Sequence, residues 1–169
     1  MRRSDLHQVI RATRPLHSRV SEPASLVGEG IRYPGHIRWT CIRCGNSCRA
    51  LPPRRRNILL TDGDIKRIVS ANGRESEDFS VPSRARAPYR RRMRKLRGRC
   101  IFLEGSRCSI YKARPLICRF YPFSLDVSEE RELEIGLDPS CQGVGKGKVR
   151  GERFFRDLAD LARRELRRQ

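Results

Sequence analysis

The sequence of 169 residues has 38 Lys and Arg against 19 Asp and Glu, which gives a formal charge of +19. Because 37% of the residues are hydrophobic and 34% are charged, the chain can bury only a modest core, as expected of one small domain. It contains no apolar run long enough for a membrane helix or a secretory signal, so we expect a protein of the reducing cytoplasm without a membrane segment.

Residues 1–38 mix arginine with proline and glycine and show no sustained helical or strand period. Such a composition predicts a basic N-terminal arm. We expect a cysteine-cluster domain at residues 39–149 and a C-terminal amphipathic helix, packed on that domain, at residues 150–169.

Three cysteines, Cys41, Cys44 and Cys48, follow the arm within eight residues. Two thiols separated by two residues can face one point when the backbone between them turns tightly, and Gly45 supplies the freedom for such a turn. Thiols stay reduced in the cytoplasm, and an odd number of cysteines, seven, fits complete disulfide pairing badly. The stretch therefore predicts a metal-binding knuckle.

A helix is predicted after the knuckle, because Thr61 and Asp64 have the spacing of a capping box. Apolar residues recur at helical spacing over residues 62–72, and Gly73 ends the run. One short amphipathic helix is the expected result.

The following residues, 74–99, are polar and rich in arginine. They contain too little apolar surface to form a core of their own, which predicts a loop or a solvated helix. Tyr89 and Met93 lie within this basic run, and an aromatic ring among arginines is also typical of a surface that contacts RNA or DNA. A partner of this kind stays open as an alternative to simple solvation.

The next segment places two more cysteines around a glycine-containing turn. β-forming residues on both sides of that turn predict a hairpin that brings Cys100 and Cys108 close together. Pro115 suits the first turn of a short helix and Pro122 its end, so this helix is expected to present Cys118.

Two β-like runs at residues 123–127 and 132–137 are expected to pair around an acidic turn. Cys141 follows them, and the glycine-rich residues 143–148 are predicted to be flexible. The last segment, residues 151–167, has one apolar helical face, formed by Phe154, Phe155, Leu158, Leu161, Ala162 and Leu166.

All seven cysteines are candidate metal ligands: Cys41, Cys44, Cys48, Cys100, Cys108, Cys118 and Cys141. Zinc or iron bound by thiolates requires four donors in tetrahedral geometry, at about 2.3 Å from the metal. Seven thiols could complete one such centre with three to spare, or one centre and part of another. Four thiolates around zinc or an oxidised cubane cluster leave two negative charges, which Arg43, Arg49 and Arg119 could offset.

The order of motifs resembles the YkgJ-type cysteine-cluster family, also called the CxxCxxCC family. The motifs are Cys-Ile-Arg-Cys-Gly-Asn-x-Cys-Arg, Leu-Thr-x-x-Asp, Cys-Ile-Phe-Leu, Cys-Ser-Ile-Tyr, Arg-Pro-x-x-Cys-Arg-Phe-Tyr-Pro-Phe and a late cysteine before Gly-x-Gly-x-Gly. The resemblance extends from about Trp39 to Gly147 and implies chelation of zinc or iron by the matching cysteines. One branch of the family is similar to flagellar lysine N-methylases, in which the domain is associated with an iron–sulfur cluster.

One position departs from the family pattern. The knuckle of the family typically ends in two adjacent cysteines, and Ser47 stands where the first of them is expected. A serine hydroxyl is a poor metal ligand beside a thiolate, so either that cysteine is not an essential ligand or metal occupancy differs in this chain.

We therefore expect an α+β fold, a small irregular metal-stapled domain with short β-hairpins and a C-terminal amphipathic helix. The expected function is a cytoplasmic metal-binding protein, with an iron–sulfur cluster of the 4Fe–4S type favoured over zinc. Two alternatives remain: an iron–sulfur enzyme of redox or protein-lysine methylase-like type, and a nucleic-acid-binding module that uses the arginines of residues 90–99 and the basic helix at 151–168.

Overall fold

The structure is a computed structural model, and it describes residues 26–28, 30–50, 56–85, 87–128 and 132–167. This part of the chain combines short strands in small sheets with helices, which confirms the predicted α+β class. The strands are β1 (Leu26–Gly28), β2 (Ile31–Tyr33), β3 (Ile37–Trp39), β4 (Leu59–Leu60), β5 (Ser80–Pro82), β6 (Arg91–Met93), β7 (Lys95–Leu96), β8 (Arg99–Cys100), β9 (Leu103–Glu104), β10 (Arg107–Cys108), β11 (Phe123–Val127), β12 (Leu133–Leu137) and β13 (Val144–Arg150). The helices are α1 (Asp62–Asn72), α2 (Ser76–Phe79), α3 (Leu116–Phe120) and α4 (Glu152–Arg167).

The chain divides into two compact units. The first unit contains the described residues up to Ile42 together with Phe120–Arg163, and the second contains Arg43–Arg119 together with the described residues from Arg164.

The first unit is built on a four-stranded sheet with the strand order β1-β2-β12-β11. β11 and β12 are antiparallel, with Phe123 opposite Leu137, and this confirms the pairing predicted for the two β-like runs. The predicted apolar face of α4 is also confirmed, because the fully buried Phe155 stacks on Tyr33 with a ring-centroid distance of 5.0 Å. The same ring meets Phe123 edge-on at 5.4 Å, so the helix and the sheet share an aromatic core.

Two segments of the first unit are more regular than predicted. Strands β1 and β2 and the first two residues of β3 lie within residues 26–38, where the sequence predicted an arm. Residues 1–25 and 29 of that arm lie outside the described residues. The glycine-rich residues 143–148, predicted to be flexible, belong largely to β13, which pairs with β3. The glycines permit close packing there, since a Cβ atom on Gly143 would lie 2.1 Å from the carbonyl oxygen of Thr40.

The second unit is organised around α1, which begins and ends as predicted. The Thr61 hydroxyl accepts a hydrogen bond from Asp64 N at 3.0 Å, the Asp64 carboxylate accepts one from Thr61 N, and Gly73 ends the helix in the left-handed conformation. Ile68 of this helix is fully buried in a core that also contains Phe79 and Phe102.

The prediction of a loop or solvated helix at residues 74–99 was wrong. This segment forms α2 and then strands β5 to β8; β6 lies between β4 and β5, and β7 pairs with β8. The error arises from the alternation of exposed and buried side chains along a strand: in β6, the exposed Arg92 is followed by the buried Met93. Strands of two or three residues do not contain enough positions for that period to be recognised from the sequence.

Candidate metal centre

Four of the seven cysteines lie on short secondary-structure elements of the second unit. Cys48 ends a 3-10 turn, Asn46–Cys48, which begins after Gly45, whose φ is 74°. Cys100 ends β8 and Cys108 ends β10, so the two cysteines belong to neighbouring hairpins rather than to one. Cys118 lies in the middle of α3, as predicted. All seven cysteines are free thiols.

These four thiols influence one another electrostatically. Burial raises the pKa of Cys100 to about 12, and the neighbouring Cys48 and Cys108 add to this shift. The pKa of Cys108 is also raised, first by burial and then by Cys48. Burial raises the pKa of Cys118 well above its usual range, and Cys48, Cys100 and Cys108 raise it further. Cys100 also lies in the hydrophobic core cluster of this unit, and the other three cysteines pack against it. Cys48, Cys100, Cys108 and Cys118 therefore form one cluster, which we call the four-thiol group.

The other three predicted ligands do not belong to this group. Cys41 is exposed and Cys141 is half-buried, and both lie in the first unit. Cys44 is half-buried in the second unit. None of the three is among the described residues that form or pack against the hydrophobic core cluster that contains Cys100.

The four-thiol group is not preassembled as the site of a single metal ion. Among the described residues, no group of three or more His, Cys, Asp or Glu side chains is placed so that it could hold a metal ion. A tetrahedral zinc site brings four sulfur atoms to about 2.3 Å from one point. The four thiols thus have the donor chemistry of a zinc or iron–sulfur site and lie within electrostatic range of one another, without converging on one ion.

Two cations face the four-thiol group. Lys95 is the cross-strand partner of Cys100 in the β7–β8 pair, and its Nζ donates a hydrogen bond to the carbonyl oxygen of Arg56. Burial lowers the pKa of Lys95, whereas Cys100, Cys48 and Cys118 act in the opposite direction. Arg114 lowers the pKa of Cys108. A positive charge beside a thiol favours its thiolate form, so Lys95 and Arg114 offset part of the free energy that burial adds to ionisation of these cysteines.

The arginines that the sequence suggested for this task have other contacts. The Arg43 guanidinium lies over the ring of Tyr111, 4.4 Å from its centroid. Arg49 donates a hydrogen bond to the carbonyl oxygen of Gly105, and Arg119 pairs with Glu165 at 3.2 Å. Sequence reasoning missed Lys95, because its position beside Cys100 depends on a strand pairing hidden in the arginine-rich run.

Ser47, at the position where the family has a cysteine, lies next to the group. Its Oγ is 4.0 Å from the Sγ of Cys48. The hydroxyl therefore contacts a candidate ligand, and the four-thiol group assembles without a cysteine at position 47.

No helix in the described ranges is both long and apolar enough to cross a membrane.

The chain is similar to known proteins over the segment that contains its cysteines. Residues 40–142 match the CxxCxxCC family model, described as a putative zinc- or iron-chelating domain. The chain is also similar to an uncharacterized protein of Methanocaldococcus jannaschii, with 31% identity over 129 residues that cover 72% of this chain and 68% of the relative. No solved structure matches the chain. The segment matched by the family model contains all seven cysteines.

Proposed function

This chain belongs to the CxxCxxCC family, as its motifs predicted, and we propose that it binds an iron–sulfur cluster of the 4Fe–4S type through the four-thiol group. Such clusters are held by four cysteine thiolates, and Cys48, Cys100, Cys108 and Cys118 supply that number. Cys41, Cys44 and Cys141, which the sequence also predicted as ligands, would then not bind this cluster.

One observation supports a centre with four thiolates: Cys100 lies in the hydrophobic core cluster, and Cys48, Cys108 and Cys118 pack against that cluster. Cys48, Cys100 and Cys108 each raise the pKa of Cys118, so the four thiols lie within electrostatic range of one another. Around a single zinc ion, sulfur atoms at 2.3 Å from the metal would be about 3.8 Å apart. In a cubane, each cysteine binds a different iron atom, so the ligand sulfurs are farther apart. The two centres therefore require different spacings of the same four sulfur atoms, and the metal and sulfide content distinguishes them.

The protein would contribute ligands, charge and partial shielding from water. Each thiol must lose its proton when it binds, and burial opposes that loss in the metal-free chain. Lys95 and Arg114 favour the thiolates that result. A bound cluster would supply one-electron redox chemistry, with a potential that depends on nearby charges and on solvent exposure.

Anaerobic purification followed by analysis of iron, zinc and acid-labile sulfide tests this proposal. We expect about four iron and four sulfide per chain, with broad absorption at about 400 nm from sulfur–iron charge transfer. Zinc without sulfide would contradict the cluster and leave a thiolate-bound ion. Absence of both metals after reconstitution under reducing conditions would contradict metal binding by this chain.

A specific pair of arginines favours a second function, binding of single-stranded nucleic acid, RNA or DNA. Arg49 and Arg99 lie opposite each other in a β-bridge, and each donates a hydrogen bond to the carbonyl oxygen of Gly105 at 3.0 Å. Beside this pair, Leu96 is 72% exposed. Two adjacent guanidinium groups with spare donors suit a phosphate, and an exposed apolar side chain suits contact with a base.

Fluorescence anisotropy with a labelled single-stranded RNA, measured over a range of salt concentrations, tests this function. R99Q should weaken binding and reduce the slope of log affinity against log salt by about 0.7, as expected for the loss of one phosphate contact on a single strand. R163Q is the control, because Arg163 is exposed and already pairs with Asp160 at 2.9 Å. Equal effects of the two substitutions would assign the binding to net charge alone.

A further inference from the structure

A carboxylate of the second unit is completely buried. The side chain of Asp64 has 0% exposure, and it lies in the first turn of α1. Its Oδ2 accepts a hydrogen bond from Thr61 N at 3.1 Å, which completes the capping box. The box needs only this one oxygen and could be formed at the protein surface, so capping alone does not account for burial of the whole carboxylate.

The other oxygen of Asp64 reaches a distant part of the chain. Oδ1 accepts a hydrogen bond from the backbone N–H of Leu116 at 2.9 Å, and it also pairs with Arg67. Leu116 is the first residue of α3, which is five residues long and carries Cys118 two positions later. The first N–H groups of a helix have no partner within the helix, so an outside acceptor fixes where such a short helix begins.

A chain of ion pairs connects the same carboxylate to the other side of Cys118. Arg67 pairs with Glu165 at 3.1 Å, and Glu165 pairs with Arg119 at 3.2 Å. The backbone N–H of Leu116, two residues before Cys118, and the side chain of Arg119, the next residue after it, therefore both bind to the network that contains Asp64.

We propose that Asp64 is a positioning residue for the metal centre: through the Leu116 N–H and the Arg67–Glu165–Arg119 chain, it holds the turn that presents Cys118 to the four-thiol group. This inference rests on the proposed function, because it requires Cys118 to be a ligand. It assigns a role at the centre to a buried acid that is itself no ligand, and it predicts that loss of the carboxylate weakens metal binding in chains that remain folded.

The two ends of the capping box provide a matched pair of variants. D64N keeps the size of the side chain but has a single acceptor oxygen, so it cannot serve both Thr61 N and Leu116 N and no longer pairs with Arg67 as an ion. T61A removes the hydroxyl at the opposite end of the box and leaves the carboxylate in place for Leu116. Both substitutions disturb the start of α1, and only D64N disturbs the contact with α3.

The probe is Co(II), titrated into the full chain under anaerobic, reducing conditions. Its thiolate charge-transfer absorption reports the number of sulfur ligands, and circular dichroism reports whether each variant is folded. We expect D64N to bind Co(II) at least about tenfold more weakly than the wild type and with reduced charge-transfer absorption, as found for residues that support metal ligands. T61A should keep the wild-type affinity and spectrum.

The outcomes separate this inference from the proposed function. If the wild type binds Co(II) and D64N binds it as tightly as T61A does, the positioning role is overturned while metal binding stands. If the wild type acquires neither Co(II) nor iron with sulfide, the proposed function fails and this inference fails with it. If D64N does not fold, D64E takes its place: glutamate is the usual acid of a capping box, but its longer side chain moves the second carboxylate oxygen away from Leu116 N, and Co(II) binding as tight as that of the wild type would overturn the proposal.

Discussion

Replacement of Gly45 by alanine tests whether the cysteine knuckle is packed against the hairpin that carries Cys108. Gly45 has a φ of 74°, and a Cβ atom there would lie 2.9 Å from the carbonyl oxygen of Ser106 and 3.0 Å from Cδ1 of Leu103. Gly105, in the turn of that hairpin, also has a positive φ, of 60°, but a Cβ atom there would meet nothing within 4 Å. The two positions thus share the backbone strain and differ in the contact.

The difference in the free energy of unfolding follows from these contacts. A non-glycine residue in the left-handed region costs about 1–2 kcal/mol, which is the full effect expected for G105A. In G45A, the knuckle or the hairpin must also shift, because Ser106 presents a backbone atom; such overpacking adds about 1–3 kcal/mol. The effect of the substitution on the unfolded chain is the same in both variants and cancels in the comparison.

Urea denaturation followed by circular dichroism, with chelator and reductant present, measures both variants in the metal-free state. G45A should unfold at a clearly lower urea concentration than G105A. It should also bind metal more weakly, because Gly45 leads into the turn that ends at Cys48. Equal unfolding midpoints for the two variants would refute the packing of the knuckle on the hairpin.

Two further predictions concern charge. E165Q should lower the free energy of unfolding by about 1–3 kcal/mol, because Glu165 accepts hydrogen bonds from two half-buried arginines. E132Q breaks a single ion pair, with Arg32 at 3.0 Å, which is more exposed, so it should cost less than about 1 kcal/mol. Comparable urea midpoints for the two variants would contradict this prediction. Burial raises the pKa of Cys100 to about 12 and also raises that of Cys108, whereas thiols of the unfolded chain ionise at about pH 8.5. The unfolded state therefore loses these protons first, and the metal-free chain should lose stability as the pH rises from about 8.5 towards 12. The fall should be visible below about pH 10, before tyrosine ionises in the unfolded chain, and should vanish when metal occupies the thiols; a urea midpoint that stays constant or rises over that interval would be the contrary result.

Elements specified by neighbouring residues could be predicted from the sequence. Helix α1 followed from the Thr61 and Asp64 capping box with Gly73 at its end, all within one short segment. Helix α4 followed from its apolar period, and the β11–β12 pair followed from two β-forming runs. The family followed from several cysteine motifs in a fixed order.

Elements specified by distant contacts could not be predicted. The glycines near residue 145 indicate flexibility when read locally, but Gly143 and Gly147 fit against Thr40, about a hundred residues earlier in the sequence. The grouping of Cys48 with Cys118 likewise depends on contacts across about 70 residues, and cysteine spacing alone leaves every choice of four open. The dual role of Asp64 was hidden because one of its two acceptor contacts is local and the other is not.

The measurement that tests the metal centre most directly is the iron and acid-labile sulfide content of seven single Cys-to-Ser variants, each purified anaerobically beside the wild type. The account predicts loss of the cluster when a member of the four-thiol group is replaced, that is, in C48S, C100S, C108S and C118S. It predicts iron and sulfide at the wild-type level in C41S, C44S and C141S. A full cluster in any of the first four variants, or its loss in any of the other three, would contradict the assignment of the ligands.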